Sequence, residues 1–317
     1  MTTRLGLVAL VLAGISTVAV GGCAADSADD ASGDDTFAAD NDLTGTVQLP
    51  AQSSRTVTIT AQAAQESVLT IDCQPPGNPD DVGPVFNITS SDLGIAAAAA
   101  PRAGYFQKVV KLKAGKNAVT FQNLGRSVSC GVRTTAVPAN ATCRSWESWR
   151  SPNTDHTHLR VGVEAIQAGW EALPASGNHW GAWAAWSKVY DKPVKRGFLL
   201  HNLEHGGIVF SYKCSSGTQS AACKDARDQL VALANAFGQP RVLITPDPTQ
   251  QTMFAIRSWR TAYASDCLEQ TSARAFLTAR YNKGREDIDA DPPIPFDPTT
   301  TNVPCEDLMA APDSCAR

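Results

Sequence analysis

Residues 198–212 constrain the fold more than any other stretch, because they place two histidines and two glycines directly before an apolar run. The sequence reads Phe198-Leu-Leu-His201-Asn-Leu-Glu204-His205-Gly-Gly-Ile208-Val-Phe-Ser-Tyr212. The run from Ile208 to Tyr212 has the composition of a strand, and the glycines before it favour a turn. We therefore predict at most one helical turn over His201–His205. All five histidines of the chain lie between His156 and His205.

The segment His201–His205 also has the pattern H-x-x-E-H. This pattern resembles the signature of inverzincin peptidases, in which the glutamate activates a zinc-bound water. Those peptidases carry the pattern in a long helix, where the two histidines stand one turn apart on one face. They also add a distal glutamate, for which Glu269 and Glu286 lie at suitable distances along the chain. The single predicted turn disfavours the peptidase interpretation.

Residues 1–22 have the composition of an export signal. Arg4 supplies a positive charge, an apolar run follows from Leu5 to Val20, and Val20-Gly-Gly-Cys23 ends the segment. This ending resembles the lipobox of bacterial lipoproteins. The resemblance implies that Cys23 is the lipidated N-terminus and that the protein is anchored in the cell envelope, at the outer membrane, the periplasmic face or the extracellular side. A secreted protein and an uncleaved anchor are the alternatives.

Residues 23–44 are rich in aspartate, alanine, serine and glycine, which predicts an acidic, disordered tether. The chain has 27 basic and 31 acidic residues. Arg4 lies in the leader and seven of the aspartates lie in the tether, so the remaining chain is nearly neutral. This balance excludes a basic surface for nucleic acid, and no basic amphipathic helix points to direct binding of a membrane.

The nine cysteines indicate an oxidising compartment. With Cys23 assigned to lipid, an even number remains, which favours disulfides over a redox or zinc site of C-x-x-C spacing. The sequence does not fix the pairing. Distance along the chain favours Cys73–Cys130, Cys214–Cys223 and Cys305–Cys315, which leaves Cys143–Cys267.

Two folded units are predicted. Residues 45–139 contain short β-branched runs separated by turn residues, which is typical of an all-β, sandwich-like accessory domain. Residues 137–141 form a linker. Residues 142–288 form an α+β domain with a mixed small sheet and two helices, and residues 289–317 form a proline-rich irregular tail.

The predicted elements fall into three groups. Strands of the first unit cover Thr56–Thr60, Ser67–Ile71, Lys108–Leu112 and Asn117–Phe121. Strands of the second cover Ile208–Tyr212, Arg241–Thr245 and Met253–Trp259. Helices are predicted from about Lys224 to Phe237, ended by Gly238, and from Ser272 to Lys283, ended by Gly284.

Several short segments of the second unit follow one another in a fixed order. The core H-N-L-E-H-G is preceded by His158-Leu-Arg-Val-Gly162, Pro174-Ala-Ser-Gly-Asn-His179 and Tyr190-Asp-Lys-Pro-Val194. It is followed by Arg241-Val-Leu-Ile-Thr-Pro-Asp-Pro248, Trp259 and Tyr281-Asn-Lys-Gly-Arg285. This order resembles a bacterial family, domain-of-unknown-function family thirty-one-oh-five. Ala175 and Asn178 depart from the family pattern in the turn before His179.

This resemblance identifies His158, His179, His201 and His205 as the matched histidines. Imidazoles arriving from three separate segments are typical of a metal site, and Glu204 could be a ligand, an acceptor that orients an imidazole, or a general base. Several imidazoles without a free thiolate favour a copper or zinc ion. Met253 could approach as an axial ligand, although a core position is the favoured interpretation.

Three functions therefore remain open. The first is an exported lipoprotein that binds copper or zinc without turnover. The second is a metal-dependent enzyme, a hydrolase or a copper oxidative enzyme, with Glu204 as the catalytic base. The third is a non-enzymatic surface protein that binds a protein or polysaccharide through its β domain or through Trp180, Trp183 and Trp186. For these tryptophans, burial in the core is the favoured interpretation.

Overall fold

The computed structural model describes residues 35–38, 43–73, 84–96, 102–162, 173–214, 220–286 and 296–301. The predicted export signal, the predicted lipidation site Cys23, the predicted Cys305–Cys315 pair and most of the predicted proline-rich tail lie outside the described residues. Within them, no helix combines the length and the apolar character needed to cross a membrane.

Strands predominate in the first half of the described chain. The first nine are β1 Asp35–Ala38, β2 Leu43–Leu49, β3 Ser54–Ala61, β4 Gln65–Cys73, β5 Val85–Thr89, β6 Arg102–Ala103, β7 Tyr105–Leu112, β8 Gly115–Asn123 and β9 Val128–Ala136.

Helices enter only in the second half. Its elements are β10 Trp146–Arg150, β11 His158–Leu159, β12 His179–Trp180, β13 Lys188–Val189, α1 Arg196–Glu204, β14 Ile208–Tyr212, α2 Ala221–Phe237, β15 Val242–Pro246, β16 Phe254–Ser258, β17 Thr261–Ser265 and α3 Gln270–Arg280.

Two large sheets organise these strands. One has the order β1-β3-β8-β5-β6, and the other has ten strands in the order β13-β15-β14-β16-β17-β10-β7-β4-β9-β2. Val57 and Phe121 of the first sheet and Leu69 and Val132 of the second belong to one hydrophobic core. Between residues 45 and 139 every described element is a strand, as predicted.

The ten-stranded sheet runs across the boundary predicted near residue 140. Strand β10 pairs with β7 on one side and with β17 on the other, both antiparallel. The described residues all belong to one compact unit. The linker predicted at 137–141 therefore leads into a strand that joins the two predicted units in a common sheet.

The tether predicted for residues 23–44 ends earlier than expected. Asp35–Ala38 pairs in parallel with β3, and β2 already begins at Leu43, where it pairs with β9. The backbone of these residues therefore pairs with strands of the two sheets.

Both faces of the second half of the sheet are covered. Along β14, Ile208 and Phe210 share a core with α2 and α3, whereas Val209 shares the other core with α1. Because side chains alternate between the faces of a strand, α1 lies on one side of the sheet and α2 and α3 lie on the other. The predicted strands and the two predicted helices of this half are confirmed within a few residues.

Three of the predicted disulfides are confirmed. Cys73–Cys130 links β4 to β9, and Cys214–Cys223 links the end of β14 to α2. Cys143–Cys267 joins positions 124 residues apart and ties the segment before β10 to the segment after β17. That bridge fastens the sheet where its two halves meet.

The prediction of at most one helical turn at His201–His205 is wrong, because α1 has nine residues. Every residue of α1 from Gly197 to Glu204 is buried. Gly197 allows this burial, since a Cβ there would lie 2.3 Å from the ring of Trp180. A helix buried all round has no polar face, so its sequence lacks the periodicity by which helices are recognised.

Glycines allow a tight turn and close packing at the C-terminal end of α1. His205 caps the helix, and Gly206 turns the chain away with a φ of +78°. Residues 281–286 then cover this end. Asn282 N donates to Gly206 O at 2.8 Å, and Glu286 N donates to Glu204 O at 3.0 Å. Gly284 lies between them, where a Cβ would come within 2.1 Å of Glu204 O.

We expect Gly284→Ala to lower the free energy of unfolding by about 2 kcal/mol or more, because the added methyl group meets rigid backbone. The matched control is Gly131→Ala in β9, where the nearest atom to a new Cβ lies 3.5 Å away. That control should change stability by no more than about 1 kcal/mol. Urea unfolding followed by tryptophan fluorescence measures both, and equal effects would contradict the close packing at Gly284.

Candidate metal centre

Three imidazole rings meet at one end of α1. His158 and His179 pair in the parallel two-stranded sheet β11–β12, and His201 projects from α1. Their ring centroids lie between 4.7 and 5.0 Å apart. His179 and His201 are buried, whereas the side chain of His158 is 38% exposed. The cluster therefore has one side that faces solvent.

Backbone carbonyl groups orient two of the rings. His179 Nδ1 lies 2.8 Å from Gly177 O, and His201 Nδ1 lies 2.7 Å from Trp180 O. A carbonyl oxygen only accepts hydrogen bonds, so Nδ1 of each ring carries the proton. The Nε2 atom of a neutral ring is then left with a free lone pair, which is how proteins orient metal-binding histidines.

The carboxylate of Glu204 lies against these rings. Its Oε2 atom is 2.9 Å from His179 Nε2 and 3.3 Å from His158 Nε2, and the side chain is completely buried. With Nδ1 protonated, a neutral His179 would present a lone pair to a carboxylate oxygen. This contact therefore requires a cation between the two atoms, either a proton on Nε2 or a metal ion.

The four side chains fit a metal ion. His158, His179, His201 and Glu204 each offer one ligand atom, and these atoms all lie within 4.8 Å of one another. Ligand atoms of a tetrahedral zinc site are about 3.3 Å apart, as follows from metal–ligand bonds of about 2.0–2.1 Å. The separations between Glu204 and the two histidines of β11–β12 are close to this value.

Burial and close charges set the ionisation of the site. Burial raises the pKa of Glu204, but hydrogen bonds with His158 and His179 outweigh it and leave that pKa below its ordinary value. The hydrogen bond with Glu204 in turn raises the pKa of His158. Burial and the neighbouring histidines hold the pKa of His201 well below its ordinary value, and burial lowers the pKa of His205 to about 4. At neutral pH, Glu204 is thus ionised and the two rings of α1 are neutral.

His205 does not belong to the group that His158, His179, His201 and Glu204 form. It caps α1, and its ring lies 4.6 Å from that of His201 and 4.9 Å from that of Trp183. Its ligand atom instead groups with Glu204 and Glu286, and His205 Nε2 lies 3.7 Å from Glu286 Oε2. The sequence grouped His205 with the other three histidines, and the structure places it at a neighbouring set.

Two residues of the site were not singled out from the sequence. Arg285 Nη1 lies 3.9 Å from Glu204 Oε1, and Glu286 approaches His205. Of the two glutamates considered as distal ligands, Glu269 instead caps α3 by accepting from Thr271 N and Ser272 N. The sequence did contain a signal for these two residues. The segment Tyr281–Arg285 matches the family pattern, and Glu286 follows it directly.

Other candidates from the sequence lie elsewhere. Met253 packs with the core that α2 and α3 cover, on the face of the sheet opposite to α1. His156 Nδ1 lies 3.2 Å from Thr154 O, and this ring is not among the grouped ligands of the described residues. Trp180 and Trp183 are each only 6% exposed, so their prediction as core residues is confirmed.

We expect His201 to be a neutral ring protonated at Nδ1 in the metal-free protein at neutral pH. The reason is the hydrogen bond to Trp180 O together with the lowered pKa. Nitrogen-15 NMR of labelled histidine distinguishes the tautomers. A signal for His201 typical of a ring protonated at Nε2 would contradict the proposed orientation of its lone pair.

Comparisons with known proteins add a family but no activity. No curated protein matches the chain. Among solved structures, the pre-peptidase C-terminal domain of collagenase from Bacillus anthracis shares 11% identity, with a TM-score of 0.23, over 32% of this chain and 97% of that one. Aeromonas hydrophila PliG, a periplasmic inhibitor of g-type lysozyme, shares 14% identity, with a TM-score of 0.22, over 32% of this chain and 96% of that one.

The family predicted from the segment order is supported for part of the chain. Residues 168–291 match the family described as "Protein of unknown function (DUF3105)". This match begins ten residues after His158 and includes the other residues of the site.

Proposed function

We propose that this protein binds a divalent transition metal ion, copper or zinc, through His158, His179, His201 and Glu204. One observation carries the proposal. The Nε2 atoms of two histidines from the β11–β12 sheet converge on a buried, ionised carboxylate, beside a third ring whose Nδ1 is already used by a backbone carbonyl. A bound cation satisfies lone pairs that otherwise face one another.

The donor atoms limit the choice of metal. Imidazole nitrogen with one carboxylate suits copper(II) and zinc, whereas calcium and magnesium prefer oxygen ligands throughout. The six cysteines in the described residues are held in disulfides, and Met253 lies across the sheet, so none of the described sulfur atoms is a ligand that would support copper(I). For such a ligand set, copper(II) should bind more tightly than zinc.

The arrangement differs from that of an H-x-x-E-H peptidase. In that pattern both histidines bind one ion and the glutamate lies beside it. Here the ligand atoms of His201 and His205 fall into different groups, and Glu204 itself contacts two imidazoles. These contacts support Glu204 as a ligand, and metal binding is therefore the function that we propose.

The tryptophans offer little support for a carbohydrate-binding face. Trp180 packs against Gly197 and Phe198 of α1, and the ring of Trp183 lies 5.0 Å from that of His201 and 4.9 Å from that of His205. The ring of Trp183 therefore lines one side of the histidine cluster. Buried aromatic rings of this kind exclude water and hold the ligands in place.

We expect the exported wild-type protein to retain at least one equivalent of copper or zinc. His201→Gln should weaken the affinity by more than about 100-fold, since even residues that only orient a ligand account for 10–100-fold. His156→Gln is the matched control and should leave the affinity unchanged. Metal content by mass spectrometry and competition with a chelator of known affinity measure both, with circular dichroism confirming that each variant is folded. A wild-type protein that stays metal-free after reconstitution with either ion would refute the proposal.

We further propose that Cys23 anchors the protein to the membrane of the cell envelope. The support is the apolar leader that ends in Val20-Gly-Gly-Cys23 and the disulfides that indicate an oxidising compartment. Cys23→Ser is expected to move the protein from the membrane fraction to the soluble fraction of cells that process lipoproteins. Cys23→Ser protein that remains entirely in the membrane fraction would contradict a lipid anchor at this residue.

A further inference from the structure

His205 presents two buried nitrogen atoms that no hydrogen bond satisfies. Its side chain is 2% exposed, and neither Nδ1 nor Nε2 has a hydrogen-bond partner. Leaving a buried polar atom without a partner costs about 1–3 kcal/mol. A buried and unpartnered imidazole is suited to binding a cation.

Glu204 offers a free oxygen to the same place. Its Oε2 atom faces His158 and His179, whereas Oε1 is buried and accepts no hydrogen bond. The ligand atoms of Glu204, His205 and Glu286 all lie within 4.8 Å of one another. One carboxylate therefore belongs to two groups of ligands, as a carboxylate that bridges two ions does.

We propose that Glu204, His205 and Glu286 form a second metal site, so that the centre holds two ions bridged by the carboxylate of Glu204. The second site rests on the proposed function, because it shares Glu204 with the first. Protein sites of this kind place two ions about 3.5–4 Å apart. The imidazole and two carboxylates of the second site suit zinc or copper(II).

Backbone contacts hold Glu286 in position. Glu286 N donates to Glu204 O at 3.0 Å, and Asn282 N donates to Gly206 O at 2.8 Å. The close contact of Gly284 with the end of α1 lies between these two hydrogen bonds. The third ligand thus comes from a segment that is fixed to the helix carrying the other two.

Arg285 sets the relative strength of the two sites. Its Nη1 atom lies 3.9 Å from Glu204 Oε1 and 3.7 Å from Glu286 Oε1, so it competes with an ion for both carboxylates. The side chains of Arg285 and Glu286 are 30% and 38% exposed, which leaves them room to move. The second site therefore binds its ion more weakly than the first and is the more accessible of the two.

The test is the number of zinc ions bound by the full-length protein. Metal-free protein is dialysed against increasing Zn²⁺, and bound metal is measured by mass spectrometry. We expect two equivalents for the wild type, and one for His205→Gln and for Glu286→Gln. Glu286 is partly exposed, so its replacement should not impair folding. Lys283→Gln is the matched control in the same segment, because Lys283 is exposed and is not among the grouped ligands, and it should retain two equivalents.

A second readout uses Cu²⁺. Two copper ions joined by one carboxylate couple magnetically, so the wild type should give a coupled electron paramagnetic resonance spectrum at two equivalents. Glu286→Gln should give the spectrum of isolated copper. One equivalent in the wild type, lost in His179→Gln, would overturn the second site and leave the proposed function intact. No bound metal in the wild type would overturn both. Two equivalents that survive both His205→Gln and Glu286→Gln would also overturn the second site.

Discussion

The buried carboxylate of Glu204 is the interaction on which this part of the protein depends. Its side chain is completely buried, and an ionised carboxylate in such a position is costly unless cations or hydrogen bonds compensate. The β11–β12 sheet supplies this compensation through His158 and His179. Segments far apart in the sequence must therefore meet at one residue of α1. The ten-stranded sheet makes that meeting possible, because it buries α1 against one of its faces.

Glycines allow the chain to pack this closely around α1. Gly197 admits the ring of Trp180, and Gly207 admits that of Trp186, where a Cβ would lie 2.0 Å from the ring. Gly284 admits the backbone at the end of the helix. Each glycine removes a side chain at a contact with a rigid group. Packing against Trp186 thus explains Gly207, which follows the histidine pattern.

Periodic elements were predictable from the sequence, and the convergence of the site was not. The strand at Ile208–Tyr212 and the helix ended by Gly238 follow from local patterns. Proximity along the chain agrees with Cys73–Cys130 and Cys214–Cys223, whereas Cys143–Cys267 joins positions 124 residues apart and was the pair left over. Helix α1 was missed because it is buried on all sides. Glu286 was not singled out because only the folded chain brings it to His205. The shared sheet was missed for the same reason, since β10 pairs with strands from both halves.

The positions of the ligands on α1 explain why one short pattern serves two groups. Glu204 and His205 follow His201 by three and four residues, which places them on opposite sides of it at the end of the helix. The β11–β12 sheet approaches His201 and Glu204, whereas residues 281–286 approach Glu204 and His205. Glu204 is the residue that both neighbours reach, and its two oxygens face different partners. A carboxylate in that position, unlike an imidazole, has a donor atom for each side. The pattern H-x-x-E-H therefore places Glu204 between two groups of side chains that could each hold a metal ion, whereas a peptidase uses the pattern to bind one ion.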